Sequence, residues 1–226
     1  MIRLAVLASG KGTNLEALAA AIEAGRLDAR IAVVLSDRPA AGALARARAH
    51  DLPAAAVQRP EGGDRDAHER ALARAAREAA PGGVDLTVLA GYMRVAGPVL
   101  RAALEPMINL HPSLLPSFPG RDAAAQALRA GVRVTGCTVH FVDAGVDTGP
   151  IIAQRAVDVR EGDDEARLMA RIHRAEHRLL PAVVGLFAAG RVRLEGRRVR
   201  VLPAGERTAW NAIGQGSGDG RWQGRS

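Results

Sequence analysis

The first 25 residues place the tightest limit on what this chain can fold into. Residues 2–8 form a short, unbroken apolar run, the composition of a parallel strand buried on both faces. Ser9, Gly10, Lys11 and Gly12 then make a tight glycine turn. Residues 13–24 follow with Leu15, Leu18, Ala19 and Ile22 on one helical face, and Gly25 stops that helix. A buried strand, a glycine turn and an amphipathic helix in that order open an α/β domain.

The alternation continues. Residues 31–35 read as a strand, 41–50 as a helix, 54–57 as a strand and 65–80 as a helix ended by Pro81, Gly82 and Gly83. Residues 84–90, 95–104 and 107–110 repeat strand, helix, strand. A proline-rich loop leads to a helix at 122–130. Extended segments at 132–142 and 150–159 flank a turn at 143–149. Residues 164–189 form one long helix with Leu168, Ile172, Leu179, Val183 and Leu186 inward, and Pro181 is placed to kink it. Residues 192–194 and 199–202 make a hairpin. At 226 residues the chain supports one sizeable core. The expected architecture is a single α/β domain over residues 1–202, with a mostly parallel, twisted, Rossmann-like sheet and helices on both faces. Residues 203–226 are rich in Gly, Ser, Arg and Gln without period, a disordered basic tail.

The charge of +7 invites a nucleic-acid reading, but it is unevenly spread. Residues 191–226 hold 8 Arg against 3 acidic groups and carry +5, while the other 190 residues hold 23 basic and 21 acidic groups and carry +2. Few aromatics interleave with the arginines, so nucleic acid is excluded as a partner of the main domain. Lys11 is the one lysine among 31 basic residues. The lone cysteine, Cys137, rules out an internal disulfide and a cysteine zinc site, and fits a reducing cytoplasm. No apolar run reaches 18 residues and no signal peptide is evident, so no membrane partner is expected.

Two motifs carry chemistry. Gly10-Lys11-Gly12-Thr13-Asn14 sits between a strand and a helix, where backbone N–H groups and the helix dipole hold phosphate. It is not a Walker loop, because Ala5 and Gly12 occupy positions that need Gly and Ser or Thr. Nor is it a dinucleotide fingerprint, because Leu15 stands at the third glycine. Thr13 and Asn14 are good helix caps. The second motif is Asn109-Leu110-His111-Pro112-Ser113-Leu114-Leu115-Pro116, with Asp147 36 residues beyond His111. Asn109 and His111 are two apart, so an extended chain points both to one side. An amide donates to an oxyanion, an imidazole carries a proton near neutral pH, and a carboxylate holds the ring and favours its charged form.

Taken together, these segments resemble the phosphoribosylglycinamide formyltransferase family. The resemblance rests on residues 8–15, Leu89-Ala90-Gly91-Tyr92-Met93-Arg94, residues 109–116 with Phe118-Pro119-Gly120, residues 136–140 and 143–150, and Ala175-Glu176-His177. It runs from about residue 1 to residue 202. It implies a parallel-sheet fold, 10-formyltetrahydrofolate as formyl donor and glycinamide ribonucleotide as acceptor. It implies Asn109, His111 and Asp147 as the catalytic group. Gly12, Thr13 and Asn14 would take the substrate phosphate and Glu176 a ribose hydroxyl, with His173 at a position where the family varies. Arg65, Met93, Arg94, Val95 and Ala96 would line the folate side with Asn109, Asp143, Ala144, Gly145, Val146 and Asp147. The family usually has a histidine or two just after Pro-Gly; here the run is Arg121-Asp122-Ala123-Ala124-Ala125-Gln126. The expected state is a monomer or weak homodimer.

In the expected chemistry the substrate amine attacks the formyl carbon, Asn109 and protonated His111 stabilise the oxyanion, and Asp147 supports His111. No metal and no covalent enzyme intermediate is needed. Related folate enzymes share the Asn-His-Asp set. Formyltetrahydrofolate deformylase carries an extra domain before it, for which a first strand at Ile2 leaves no room. Methionyl-tRNA formyltransferase carries one after it, for which the 36 residues beyond Gly190 are too few. A catalytically silent nucleotide-binding module is the third alternative, disfavoured by the intact Asn109, His111 and Asp147.

Overall fold

The computed structural model describes residues 1–207. In chain order its elements are β1 (Ile2–Leu7), α1 (Thr13–Glu23), β2 (Ala29–Ser36), α2 (Gly42–Ala49), β3 (Ala54–Ala56), α3 (Arg65–Ala79), β4 (Leu86–Leu89), α4 (Pro98–Leu104), β5 (Met107–His111), α5 (Ala123–Arg129), β6 (Val134–Phe141), β7 (Ile151–Asp158), α6 (Glu165–Ala188), β8 (Val192–Glu195) and β9 (Arg198–Val201). Seven strands make one sheet in the order β3-β2-β1-β4-β5-β6-β7. The first five pair in parallel, and β6 runs antiparallel to both β5 and β7. Strands β8 and β9 form a separate hairpin.

The side-chain period of a strand explains the two cores. Leu4, Val6 and Ala8 join Leu15 and Leu18 of α1 and Leu168, Ile172 and Val183 of α6 on one face. Ala5 and Leu7 join Leu72 of α3 and Leu100 and Leu104 of α4 on the other. Strand β5 obeys the same rule. Ile108 and Leu110 enter the first core and Met107 the second. Asn109 and His111 therefore share the Met107 side, as their spacing predicts.

Two local expectations are corrected. The helix expected from residue 95 starts at Pro98. A proline disfavours helical backbone at the residue before it, and buried Glu69 of α3 caps the start by accepting from Gly97 N at 2.7 Å and Leu100 N at 3.0 Å. Residues 93–96 are thereby left as loop beside the site. Helix α1 takes Gly12 as N-cap, at φ 77°, with no side-chain cap, so Thr13 and Asn14 do not cap it. The long helix expected at 164–189 is α6, one 24-residue element that contains Pro181. The tail expected at residues 203–226 lies, from residue 208 on, outside the described residues. Among the described residues no helix is long and apolar enough to cross a membrane.

Candidate active site

Asp147 is the hub. The loop after β6 carries it back across β5 with its backbone at φ 54°, a left-handed conformation that Asp tolerates better than most residues. Its Oδ1 accepts from Asn109 Nδ2 at 3.2 Å and lies 3.5 Å from His140 Nε2. Its Oδ2 accepts from Gly120 N at 2.8 Å and faces His111 Nδ1 at 3.2 Å. Burial works to raise the Asp147 pKa. The hydrogen bond to His140, the Gly120 N–H and the charges of His111 and His140 outweigh it, and the carboxyl is held below its ordinary value.

The second nitrogen of each histidine is fixed by a carbonyl. His111 Nε2 donates to Phe118 O at 2.8 Å, and His140 Nδ1 donates to Phe141 O at 2.8 Å. A carbonyl only accepts, so these nitrogens carry hydrogen. His111 thus faces an acceptor at both ring nitrogens. Phe118 sits at φ 56° to aim its carbonyl there, a strained conformation for a bulky residue and one that clusters at functional sites. His140 Nε2 lies 3.2 Å from Asn109 Nδ2, so one amide group serves both His140 and Asp147.

These side chains line one cavity of about 620 Å³, within the range of small-molecule sites. The cavity also reaches Asn14, His173 and Glu176. Buried Glu176 accepts from Asn14 Nδ2 at 3.0 Å and pairs with His173 Nδ1 at 2.8 Å. That hydrogen bond raises the His173 pKa against the opposing effects of burial and the Lys11 charge. His177 stacks on His173 at 6.3 Å, and burial lowers its pKa. Asn14 Oδ1 is buried without a partner among the described residues, an open acceptor on a residue that lines the cavity.

Met93, Val95 and Val146 are exposed apolar side chains on the cavity wall, suited to a flat ring system. Arg94, Ala96, Asp143 and Gly145 line the same cavity. Arg94 is not a surface pair. Its Nε donates to buried Asp37 at 2.7 Å, while Asp37 also accepts from Ser9 Oγ at 2.6 Å.

Not every expected residue comes together. Arg65 lies at the start of α3, half exposed, near Asp66 at 3.6 Å and Glu69 at 3.9 Å, and it is not on the cavity wall. Ala144 is off the wall while its neighbours are on it. Gly12 and Thr13 sit on the turn beside Asn14 but do not line the cavity. A Cβ on Gly12 would come 2.6 Å from Ala43 Cα, so this glycine is required for the seat of α2 as well as for its positive φ. Exposed Lys11 crowns the turn. Sequence reasoning missed Asp37, Gly120, Phe118, Glu165 and Met169, and left His140 undecided between core and site. Only the alternation of β6 against β5, which sets His140 opposite Asn109, carried a signal for any of them.

Comparison with known proteins places the chain among formyl transferases. The formyl transferase family matches residues 2–184. Phosphoribosylglycinamide formyltransferase of Bacillus subtilis is 44% identical over 185 residues, covering 81% of this chain and 93% of that protein. The trifunctional purine biosynthetic protein adenosine-3 of Homo sapiens is 42% identical over 193 residues; the match spans 85% of this chain but 19% of that protein. The crystal structure of glycinamide ribonucleotide transformylase 1 from Symbiobacterium toebii superposes with TM-score 0.85 at 49% identity, covering 90% of this chain and 95% of that one. With its Asn109, His111 and Asp147 gathered at one cavity, and with the Bacillus subtilis enzyme and the Symbiobacterium toebii structure matched at near full length, the chain belongs to the phosphoribosylglycinamide formyltransferase family.

Proposed function

We propose that this chain transfers the formyl group of 10-formyltetrahydrofolate to the amine of glycinamide ribonucleotide, a step of purine biosynthesis. The observation that carries the reading is the convergence of Asn109, His111 and His140 on Asp147 within a cavity that also holds Asn14, His173 and Glu176. One end of such a site handles an acyl carbon, and the other handles hydroxyl and phosphate groups.

The folate supplies the activated formyl group. The apolar wall of Met93, Val95 and Val146 receives its ring, and Arg94, fixed by Asp37, stands ready for a carboxylate. The glycine turn takes the substrate phosphate. Glu176 and the open Oδ1 of Asn14 take ribose hydroxyls. Asn109 Nδ2 and His111 Nε2–H are the donors for the formyl oxygen, each such donor being worth roughly 3–4 kcal/mol in the transition state. His111 exchanges its bond to Phe118 O, and Asn109 its contact with His140 Nε2, to do this, and Asp147 holds the ring by Nδ1 throughout. The amine loses a proton and the folate nitrogen gains one, with the imidazole or an ordered water as relay.

The decisive assay incubates the protein with 10-formyltetrahydrofolate, with and without glycinamide ribonucleotide, and follows both products by mass spectrometry. Formylated ribonucleotide that depends on the acceptor is the expected result. Formate release at equal rate without acceptor would favour a hydrolase, and no turnover would favour a silent binding module.

A further inference from the structure

The glycine turn is not free-standing. All three of its consecutive carbonyl oxygens are occupied. Gly10 O accepts from Ala43 N at 3.1 Å, Lys11 O from Arg46 Nε at 3.0 Å, and Gly12 O from Glu16 N at 3.0 Å. Two of the three donors belong to α2. The same helix presses on the turn sterically: a Cβ on Gly42 would stand 3.0 Å from Lys11 O, and one on Gly12 would overlap Ala43. Arg46 is fixed in its own right, because its Nη1 pairs with Glu16 Oε2 at 2.9 Å on α1. His50, one turn further along, holds the other oxygen of Glu16 at 3.1 Å.

The direction of these bonds matters. A peptide unit whose carbonyl is bound toward α2 presents its N–H to the opposite side. The start of α1 has no side-chain cap to compete for its first N–H groups. Holding the Gly10 and Lys11 carbonyls toward α2 turns the N–H groups of the same two peptides, those of Lys11 and Gly12, the other way and builds an anion-binding concavity from backbone alone. Of the three brackets on the turn, Arg46 is the one made by a side chain, and so the one a substitution can remove.

From this geometry we infer that Arg46 is a positioning residue for phosphate recognition, acting through the Lys11 carbonyl rather than by touching the substrate. The inference rests on the reading that the phosphate of the ribonucleotide sits on this turn. Losing the bracket leaves the Lys11–Gly12 peptide free to rotate and turn its carbonyl toward the phosphate. The consequence falls on phosphate binding and not on the formyl chemistry.

Two substitutions separate the bracket from mere positive charge. Arg46→Met keeps the apolar stem and loses both charge and donor. Arg46→Gln has no charge but places an amide nitrogen at the same bond distance from the backbone as Arg Nε, within reach of Lys11 O. Each variant is assayed with glycinamide ribonucleotide and with its dephosphorylated riboside, and melting temperatures are recorded. The wild type is expected to favour the phosphorylated acceptor strongly. Arg46→Met should raise the KM for the ribonucleotide about tenfold, or ~1.4 kcal/mol, with kcat, folate KM and riboside KM unchanged. Arg46→Gln should recover most of that loss. If Arg46→Gln is as impaired as Arg46→Met, the effect is one of charge and the bracket is refuted. If Arg46→Met keeps full preference for the phosphate, or weakens the riboside equally, Arg46 has no role in phosphate recognition. A wild type that does not distinguish the two acceptors would overturn the placement of the phosphate itself, and the inference with it. If Arg46→Met does not fold, Glu16→Gln, which removes the anchor of Arg46, carries the same comparison with a smaller expected loss.

Discussion

Asp147→Asn is the substitution whose outcome the structure specifies most closely. The carboxylate meets donors at both oxygens: Asn109 Nδ2 at one, Gly120 N at the other. An amide offers one acceptor and one donor. Turning its NH2 toward Gly120 would set two N–H groups against each other across a 2.8 Å contact. The amide oxygen should therefore stay with Gly120 N and His111 Nδ1, and the NH2 should face Asn109 and His140. The shape survives, while His111 loses the charge opposite it and Asn109 loses its acceptor. A hydrogen bond to a charged group contributes roughly 1.5–3 kcal/mol. At the upper part of that range kcat should fall about a hundredfold, or ~2.7 kcal/mol, with both KM values within about threefold of wild type. The pH dependence follows from the direction of the Asp147 shift. Its folded pKa lies below its ordinary value of 3.8. Its contribution to stability is therefore complete above that value and is lost as pH falls through the folded pKa. The melting-temperature gap between wild type and Asp147→Asn should be constant near neutrality and should close on acidification below pH 3.8. Steady-state kinetics and melting curves on both single variants and on Asp147→Asn with His111→Ala test the idea. The double variant should cost little more than His111→Ala alone, because residues that act as a unit are non-additive. Additive losses would show that Asp147 acts apart from His111, and a melting gap that ignores pH would show that its carboxyl is not held below the ordinary value.

Other outcomes follow from the same geometry. Asp37→Ala leaves Arg94 and Ser9 Oγ without their shared partner; it should destabilise the fold by about 2–3 kcal/mol, since Arg94 is partly solvated, and should raise the folate KM more than the ribonucleotide KM in steady-state assays. The pKa of His173 is raised by Glu176, so the ring keeps its charge beyond the ordinary value of 6.5 and loses it as pH climbs through the raised one. The ribonucleotide KM should increase over that interval, and His173→Gln should flatten the profile. A chain ending at Leu202, whose N–H and carbonyl both bond Arg191, should keep its melting temperature and turnover; a large loss of either would show that residues 203–226 pack on the domain.

The sequence revealed what local period governs. The opening strand, turn and helix, the alternation through β5 and the shared side of Asn109 and His111 all depend on spacing along the chain. What it concealed depends on partners far away in sequence. Helix α4 begins late because Glu69, 28 residues before Gly97, caps it. Arg94 is held by buried Asp37, 57 residues earlier, and no local spacing joins the two. His140 has no local signal that separates core from site; its role comes from standing opposite Asn109 on an antiparallel neighbour. Arg65 shows the opposite failure. Its place in the motif order put it at the folate, but the fold turns it toward the acidic groups of its own helix.

Lys11 gives the site a chemical address. It is the one lysine in the chain, it is exposed, and it stands at the middle of the glycine turn. The other reactive amine, the N-terminus, is tied to Asp28 at 2.9 Å. An amine-directed reagent meets a single ε-amino group, on the peptide whose carbonyl Arg46 holds, and one α-amine, exposed in its pair with Asp28. A dye or isotopic tag on that ε-amine reports on the turn from within, and peptide mapping separates it from label on the N-terminus, at the far end of β1 from the turn. Protection of that amine by glycinamide ribonucleotide, read as the labelled fraction of the Lys11-containing peptide by mass spectrometry, measures occupancy of the turn with no turnover at all.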